Sequence, residues 1–364
     1  MKGIAVKRSQ LLVAAGTSTA LVALAGCSSS KPATTTSSSS TSSTPTSSST
    51  SASSSSSSTS SAAAGGPAAP TKASKKYKLS FIQGVAGDNF YITMQCGIEA
   101  EAAKLGVTVN TQGPAKFDAT LQKPIVDSVR QSKPDALLIA PTDTKAMKAP
   151  LDAAAAAGIK LVFVDTTLAD PSKAVSQIAS DNFGGGAAAF TAIKQLAPSG
   201  GKVLVLSVKP GISTTDARVN GFEKAVKADK SYNYLGVQYD QDDPTVAAQV
   251  TTAALQKDPD IVGIFATNLF SAEGAATGIK QAGKTNKVKI VGFDAGPAQV
   301  KDLKAGTVQA LVAQQPYKIG VDGVDQAVAA LDGKPAVTAK IQTGFTVLTK
   351  STIDSSGAAY KAAC

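Results

Sequence analysis

The chain has 364 residues, of which 43% are hydrophobic and 17% are charged, and its formal net charge is +10. It contains no histidine, which excludes Ser-His-Asp and Cys-His catalysis and metal sites built on imidazole. The lysines are scattered singly, without a basic patch interleaved with aromatic residues, so we do not expect nucleic-acid binding. We also expect no metal and no cofactor, although paired carboxylates could still support acid–base chemistry.

The first 26 residues have the pattern of an export signal. Basic residues at the start precede a mainly apolar run over 11–25, which is shorter than the roughly 20 residues of a membrane-spanning helix. The following Leu24-Ala25-Gly26-Cys27 resembles the bacterial lipobox. This predicts cleavage after Gly26 and a lipid on Cys27, with the mature protein outside the cytoplasm and held to the membrane. The alternative is an ordinary secretory signal with an incidental cysteine.

A Ser/Thr-rich segment follows the signal. In residues 28–61, 29 of 34 positions are Ser or Thr, and such a stretch cannot bury enough apolar surface to offset the entropy of ordering it. We therefore predict a disordered tether over residues 27–76. A tether of this length is more typical of the thick wall of a Gram-positive cell than of a periplasm.

Residues from 77 onward alternate between strand and helix patterns. Helix endings at Gly106 and Gly158 support this division, and alternation of this kind predicts a parallel sheet flanked by helices. The predicted strands of this first series are 78–83, 107–110, 136–140 and 159–164, and the predicted helices are 90–105, 118–131 and 144–157.

A second series begins near residue 181. The triplet Gly184-Gly185-Gly186 starts a helix, and we interpret it as a close-packing surface, because it does not match GxGxxG and no phosphate-binding lysine follows. Two series of this length exceed one core, so two lobes are expected. The predicted strands are 202–207, 235–239, 261–266, 288–293 and 307–314, and the predicted helices after residue 184 are 216–228, 244–256 and 271–282.

Four of the predicted strands end in a polar side chain, namely Asp165, Asn268, Asp294 and Gln314. Open α/β sheets bind ligands beyond the carboxyl ends of their strands. The four residues together therefore indicate one shared polar site.

Two cysteines remain besides Cys27. Cys96 and Cys364 form an even pair in a protein expected in an oxidising compartment, which favours a disulfide between the C-terminal tail and the first helix of the folded body. Two unpaired thiols are the alternative.

The body resembles the ribose-type periplasmic binding proteins, the sugar-binding components of ABC importers. The resemblance spans residues 78–350, and its motifs are individually short but occur in the family's order and spacing. They are Ala140-Pro141-Thr142-Asp143, Ile178-Ala179-Ser180-Asp181-Asn182, Ala217-Arg218-Val219-Asn220-Gly221-Phe222, Val291-Gly292-Phe293-Asp294 and Ala313-Gln314-Gln315-Pro316.

The resemblance implies an α/β fold of two Rossmann-like lobes with parallel sheets flanked by helices, joined by a hinge of three crossovers. The crossovers would lie near residue 181, after 314 and around 344. The expected lobes are residues 77–180 with 315–343, and residues 181–314 with 344–364.

The resemblance also implies a set of ligand-binding residues. Carboxylates, amides and a guanidinium would pair with sugar hydroxyls, while aromatic rings would contact the C–H faces of the sugar. Each has a simpler structural alternative: Phe90 and Tyr91 as core residues, Arg218 as a surface residue, and Asn268 as a helix cap. The residues implied are Phe90, Tyr91, Asp165, Arg218, Asn268, Asp294 and Gln314.

Some positions depart from the family pattern. Thr166 stands where pentose binders often have arginine, and an aromatic residue expected near Asp242 is missing. Further acidic residues, including Asp88, Asp240 and Asp242, could add negative potential near the cleft, although solvated loops are the simpler expectation for most of them. The departures leave the ligand open between a sugar, a polyol and an amine-bearing compound.

The predicted function is therefore that of a lipid-anchored solute-binding protein, which captures a small sugar or polyol and delivers it to an ABC permease. We expect a monomer and no enzymatic activity. One alternative is a surface sensor that signals to a membrane kinase. The other is a carbohydrate-active enzyme using Asp165 and Asp294.

Overall fold

The computed structural model of the chain describes residues 69–334 and 338–364. The predicted signal peptide, the lipidation residue Cys27 and most of the predicted tether lie outside these residues. Within residues 69–334 and 338–364, no helix meets the length and hydropathy expected of a segment that crosses a bilayer.

The described residues form two six-stranded sheets. The first sheet has the strand order β11-β5-β4-β3-β1-β2 and is parallel throughout. Its strands are β1 (Lys78–Ile82), β2 (Thr108–Gln112), β3 (Ala136–Ile139), β4 (Lys160–Val164), β5 (Ala174–Ser180) and β11 (Lys340–Thr343).

The second sheet has the order β12-β10-β9-β8-β6-β7, in which only the pair β10 and β12 is antiparallel. The α/β architecture with two mainly parallel sheets is thus confirmed. The strands of this sheet are β6 (Gly201–Ser207), β7 (Tyr232–Tyr239), β8 (Ile261–Ala266), β9 (Lys289–Phe293), β10 (Ala310–Ala313) and β12 (Thr346–Leu348).

Helices cover the sheets. The central strands β3, β4, β8, β9 and β10 are almost wholly buried, as their continuous apolar runs predict. The helices are α1 (Asn89–Leu105), α2 (Ala119–Ser132), α3 (Lys148–Ala156), α4 (Asn182–Leu196), α5 (Ser213–Lys227), α6 (Pro244–Lys257), α7 (Leu269–Gln281), α8 (Pro297–Ala305), α9 (Pro316–Leu331) and α10 (Ile353–Ser356).

The chain passes from one sheet to the other three times. It leaves β5 for α4 at residue 181, returns after β10 at residues 314–315, and crosses again between β11 and β12 at residues 344–345. The carboxyl ends of β4, β5, β8, β9 and β10 therefore face a common region near these crossings.

Several boundaries differ from the prediction. Helix α3 begins at Lys148 rather than at 144, because the Asp143 carboxylate accepts the N–H groups of Lys145 and Ala146 and holds a separate turn. The predicted tether also ends too late. Ala73 donates its N–H to Leu105 O at 3.1 Å, and Ser74 donates its N–H to Asp332 Oδ1 at 3.2 Å, so both belong to the folded body.

The glycine triplet packs closely, as predicted. A Cβ on Gly186 would lie 2.0 Å from the backbone oxygen of Arg218, and one on Gly185 would lie 2.7 Å from the Phe293 ring. Only glycine permits this approach of α4 to α5 and to β9. The triplet thereby sets the depth at which Arg218 and Phe293 sit beside the carboxyl ends of the strands.

Candidate functional site

A cavity lies between the two sheets at the carboxyl ends of their strands. All seven residues implied by the resemblance line it, with residues from the first sheet's side facing residues from the second. The full lining is Asp88, Phe90, Tyr91, Phe117, Asp165, Val208, Ile212, Thr214, Thr215, Arg218, Asp242, Asn268, Asp294 and Gln314. We call this cavity the cleft.

Asp165 and Asp294 enter the cleft from equivalent places in the two sheets. Asp165 follows β4 and donates its N–H to Ile178 O at 2.8 Å, and Asp294 follows β9 and donates its N–H to Val312 O at 2.9 Å. Both residues have left-handed backbone, with φ of 65° and 79°. Non-glycine residues adopt this region in only a few per cent of cases, with aspartate among the more frequent, so the same conformation at equivalent places in the two sheets is a shared feature of the site.

Arg218 is the guanidinium of the cleft and is 3% exposed, so it is not a surface residue. Its Nε–H donates to Asn182 Oδ1 at 2.9 Å, and an Nη1–H donates to Thr267 O at 2.8 Å. The guanidinium carbon lies 3.8 Å from the centre of the Phe293 ring. These contacts from α4, from the residue after β8 and from β9 fix the plane of the guanidinium and leave its remaining N–H groups for other acceptors.

Gln314 holds the carboxylate of Asp294. Its Nε2 donates to Asp294 Oδ1 at 2.7 Å, while its own Oε1 accepts the Ser180 hydroxyl at 2.7 Å. Tyr360, which sequence reasoning missed, donates its hydroxyl to the same Asp294 oxygen at 3.0 Å. Asp294 is thus oriented by two buried donors.

The aromatic residues sit at the start of α1. Asp88 is the N-cap of this helix and accepts the Phe90 N–H at 2.7 Å. The Phe90 and Tyr91 rings meet edge to face at a centroid distance of 5.1 Å. Tyr91 donates its hydroxyl to Asp165 Oδ2 at 2.8 Å, so it is both an aromatic wall and a partner of the first-sheet carboxylate.

Asn268 fills both roles that the sequence left open. Its Oδ1 accepts the Ser271 N–H at 3.2 Å and caps α7, and its Nδ2 donates to Asp242 Oδ1 within the cleft. The expectation of a solvated loop around Asp242 is wrong for that residue and for Asp240. Asp240 is fully buried and accepts the Ser271 hydroxyl at 2.5 Å.

Burial shapes the ionisation of these carboxyl groups. It raises the pKa of Asp165 to about 6, against the opposing effects of Arg218 and of the Tyr91 hydroxyl. It raises the pKa of Asp242 to about 7, against the hydrogen bond from Asn268. In both cases the pKa rises because desolvation disfavours the charged form.

Asp88 and Asp294 follow the same trend. Burial raises the pKa of Asp88 well above its usual range, and the nearby Asp294 and Asp242 carboxylates raise it further. Burial also raises the pKa of Asp294, although Arg218, Gln314 and Tyr360 oppose it. Four carboxyl groups and one guanidinium thus line the cleft, which favours ligands that present several hydrogen-bond donors.

Sequence reasoning did not assign Phe117, Val208, Ile212, Thr214 or Thr215 to the cleft, since none of them ends a predicted strand. Asp88 carried a usable signal, because an aspartate directly before a helix that begins with aromatic residues is a candidate cap. Within residues 69–334 and 338–364, no group of three or more Cys, Asp or Glu side chains has an arrangement suited to holding a metal ion.

A protein-family model described as a periplasmic binding protein domain matches residues 79–335, which is more than half of the chain. The chain belongs to the periplasmic binding protein family. This confirms the resemblance inferred from the motifs at the strand ends.

Known members of the periplasmic binding protein family resemble the chain over most of its length. The ribose import binding protein of Bacillus subtilis (strain 168) is 33% identical over 260 residues, which cover 71% of this chain and 83% of that protein.

Two solved structures of ABC transporter solute-binding proteins from Agrobacterium vitis are also similar. One, with alpha-D-tagatopyranose bound, is 39% identical with a TM-score of 0.76, covering 79% of this chain and 100% of that chain. The other, with D-fucose bound, is 33% identical with a TM-score of 0.73, covering 77% and 98%. The relatives are thus transport proteins that bind small sugars rather than enzymes.

Proposed function

We propose that the protein captures a small sugar or polyol in the cleft and delivers it to an ABC importer. The observation that carries this proposal is the convergence of paired acceptors, one guanidinium and three aromatic rings on a single cavity between the sheets. A monosaccharide needs this combination, because each hydroxyl both donates and accepts while the ring carbons are apolar.

Each cleft residue then has a role. Asp165 and Asp294 accept hydrogen bonds from ligand hydroxyls on opposite sides of the cleft, Arg218 donates to ligand oxygens, and Asn268 and Gln314 contribute amide groups. Phe90 and Tyr91 contact the apolar faces of the sugar ring.

The acid-rich lining also favours a second ligand class. Carboxylates accept from ammonium groups as well as from hydroxyls, and Asp88 and Asp242 lie in the cleft in addition to the two carboxylates that flank Arg218. A sugar bearing an amine would therefore suit the same site, and the test below includes such compounds.

Ligand capture would close the two lobes on each other. The lobes are residues 77–180 with 315–343 and residues 181–314 with 344–364, joined where the chain crosses between the sheets. A ligand that contacts Asp165 and Asp294 at once stabilises the closed arrangement, because those contacts form together only there.

The location of the protein follows from its N-terminal sequence. Cleavage after Gly26 and lipidation of Cys27 would anchor a monomeric protein outside the cytoplasm, with the Ser/Thr-rich segment as spacer and a Gram-positive envelope as its setting. The partner at the membrane would be the permease of an ABC importer.

Two other functions share parts of this site. A sensor would use the same closed form to engage a membrane kinase, and a carbohydrate-active enzyme would use Asp165 and Asp294 on a glycosidic bond. The three relatives described above are transport proteins, and nothing in the cleft favours either alternative.

The test uses the chain from residue 28 onward, titrated by calorimetry and thermal shift with pentoses, hexoses, alditols and amino sugars. A true ligand at about 100 times its Kd adds about 2.7 kcal/mol to the free energy of unfolding. Binding with no release of product supports a solute-binding protein. Turnover of a glycoside would favour the enzyme, and no binding to any compound of the panel would refute the proposal.

A further inference from the structure

The last residues of the chain connect the two sides of the cleft. Tyr360 donates its N–H to Ala295 O at 2.9 Å, in the loop after β9 of the second sheet. One residue later, Lys361 donates its N–H to Thr93 Oγ1 of α1 at 2.7 Å, and Cys364 is disulfide-bonded to Cys96 of the same helix. The tail therefore runs from the second sheet to α1 and ends in a covalent link.

The Tyr360 side chain points into the protein and is 5% exposed. Its hydroxyl donates to Asp294 Oδ1 and accepts the N–H of Gln314, both at 3.0 Å. Its ring centre lies 6.0 Å from that of Phe90. The hydroxyl thus joins a carboxylate of the cleft to the crossing after β10.

These contacts converge on one oxygen of the Asp294 carboxylate. The Tyr360 hydroxyl and Gln314 Nε2 both donate to Oδ1, and neither uses Oδ2. Two donors on one oxygen restrict the rotation of the carboxylate, and a backbone hydrogen bond from Leu269 also lowers its pKa.

The tail beyond Tyr360 has few other attachments. Residues 361–364 are exposed, and the Lys361 backbone bonds to Thr93 and to Asn89 Nδ2 at 3.2 Å. A chain end with so few contacts is usually poorly ordered unless a further bond fixes it. The disulfide lies only four residues after Tyr360 and confines the whole segment.

We propose that Tyr360 is a positioning residue of the ligand site, which holds the Asp294 carboxylate in its binding orientation, and that the Cys96–Cys364 disulfide keeps Tyr360 in place. The proposal rests on the proposed function, in which Asp294 accepts hydrogen bonds from the ligand. The C-terminal end of the chain is then part of the binding site.

The first test compares Tyr360→Phe with Tyr232→Phe in the chain from residue 28 onward. Tyr232 is the matched control, because it is 7% exposed and its hydroxyl donates to Ala197 O at 2.6 Å, away from the cleft. Tyr360→Phe should raise the Kd for the sugar identified in the panel about tenfold. Tyr232→Phe should leave that Kd within twofold of wild type. Equal Kd values for Tyr360→Phe and wild type would overturn the proposal.

A second readout needs no ligand. The Tyr360 hydrogen bond lowers the pKa of Asp294 against the effect of burial, so Tyr360→Phe should raise that pKa and Tyr232→Phe should not. NMR titration of the side-chain carboxyl carbons, assigned with Asp294→Asn, measures this. If no sugar binds wild type, the proposed function fails, and this titration alone decides whether Tyr360 acts on Asp294; an unchanged pKa refutes the role.

The role of the disulfide is tested by a mutant cycle. The double variant Cys96→Ser/Cys364→Ser should bind the sugar more weakly than wild type, as Tyr360→Phe does. Adding Tyr360→Phe to the double variant should raise the Kd by less than a further twofold, because both changes disrupt the same interaction of Tyr360 with Asp294. The disulfide does not act through Tyr360 if the double serine variant binds with wild-type affinity. The same conclusion holds if the triple variant shows the product of the two separate increases in Kd.

Discussion

Asp165 and Asp294 end strands β4 and β9 of two different sheets, and both hold a left-handed backbone conformation, with φ of 65° and 79°. Arg218 lowers the pKa of each against the effect of burial. The two halves of the protein thus present the same element, a strand-end carboxylate on a left-handed backbone, to one guanidinium. A ligand held by both carboxylates bridges the halves.

Arg218→Ala should lower both ligand affinity and stability. The variant loses the contacts with Asn182, Thr267 and Phe293, and it removes the positive charge that lowers the pKa of Asp165 and of Asp294. A hydrogen bond made by a charged group typically contributes about 1.5–3 kcal/mol to stability, so its loss should be measurable. Thermal unfolding without ligand and calorimetry with ligand check this.

The control for Arg218→Ala is Arg130→Ala on α2, whose guanidinium pairs with Asp127 at the surface. This change should alter neither the ligand affinity nor the melting temperature by much. A ligand-free melting temperature equal to wild type in Arg218→Ala would show that its contacts do not stabilise the fold.

Asp242→Asn should make the ligand-free protein more stable above pH 7. Burial raises the pKa of Asp242 to about 7, so between about pH 4 and 7 the folded state binds more protons than the unfolded state at this position. The contribution of Asp242 to the free energy of unfolding therefore falls as pH rises through that window. Asparagine does not ionise, so the variant avoids this loss of stability while keeping a side-chain oxygen that can accept from Asn268.

Urea unfolding of wild type and Asp242→Asn at pH 5 and pH 8 measures the effect. The difference between the two proteins should be smaller at pH 5 than at pH 8, where it should favour the variant by a few kcal/mol at most. Asp127→Asn on an exposed helix face is the control. A variant less stable than wild type at pH 8 would contradict the argument.

Phe90→Leu should weaken sugar binding about tenfold with a moderate loss of stability. Leucine fills much of the volume but offers no flat face to the C–H groups of a sugar, and aromatic contacts of this kind contribute about 0.5–1.5 kcal/mol beyond burial. Calorimetry gives the Kd and thermal unfolding gives the stability change.

Phe190→Leu is the matched control, because Phe190 has the same 4% exposure as Phe90 but lies in the core of the second sheet against Phe222 and Tyr232. It should lower the melting temperature without changing the Kd. If both variants lose affinity equally, the effect of Phe90→Leu comes from stability rather than from contact with the sugar.

Gly186→Ala should destabilise the protein and weaken ligand binding together. The added Cβ would lie 2.0 Å from the Arg218 backbone oxygen, so α4 and α5 must move apart. Overpacking of this kind typically costs about 1–3 kcal/mol. Thermal unfolding should show a melting temperature several degrees lower, and unchanged binding would mean that the movement does not reach the Arg218 side chain.

The sequence by itself determined the alternation of strands and helices, the strand-end polar residues and the family. These features are local: a buried parallel strand is a short apolar run, a cap is one residue at a helix end, and the family motifs each span four to six residues. The short hinge strands β11 and β12 were not predicted, because four and three residues of mixed polarity give no periodic signal. Strand β5 and the helices α8, α9 and α10 were also missed.

Only the tertiary structure decided which side chains complete the cleft. Asp88 and Asp242 have the sequence pattern of loop residues, but in the structure Asp88 is buried, Asp242 is half-buried, and both line the cleft. Tyr360 reaches Asp294 across 66 residues of sequence, and its tail returns to α1 across 268. Contacts at such separations depend on how whole elements pack against each other, and no pattern within a single element records that.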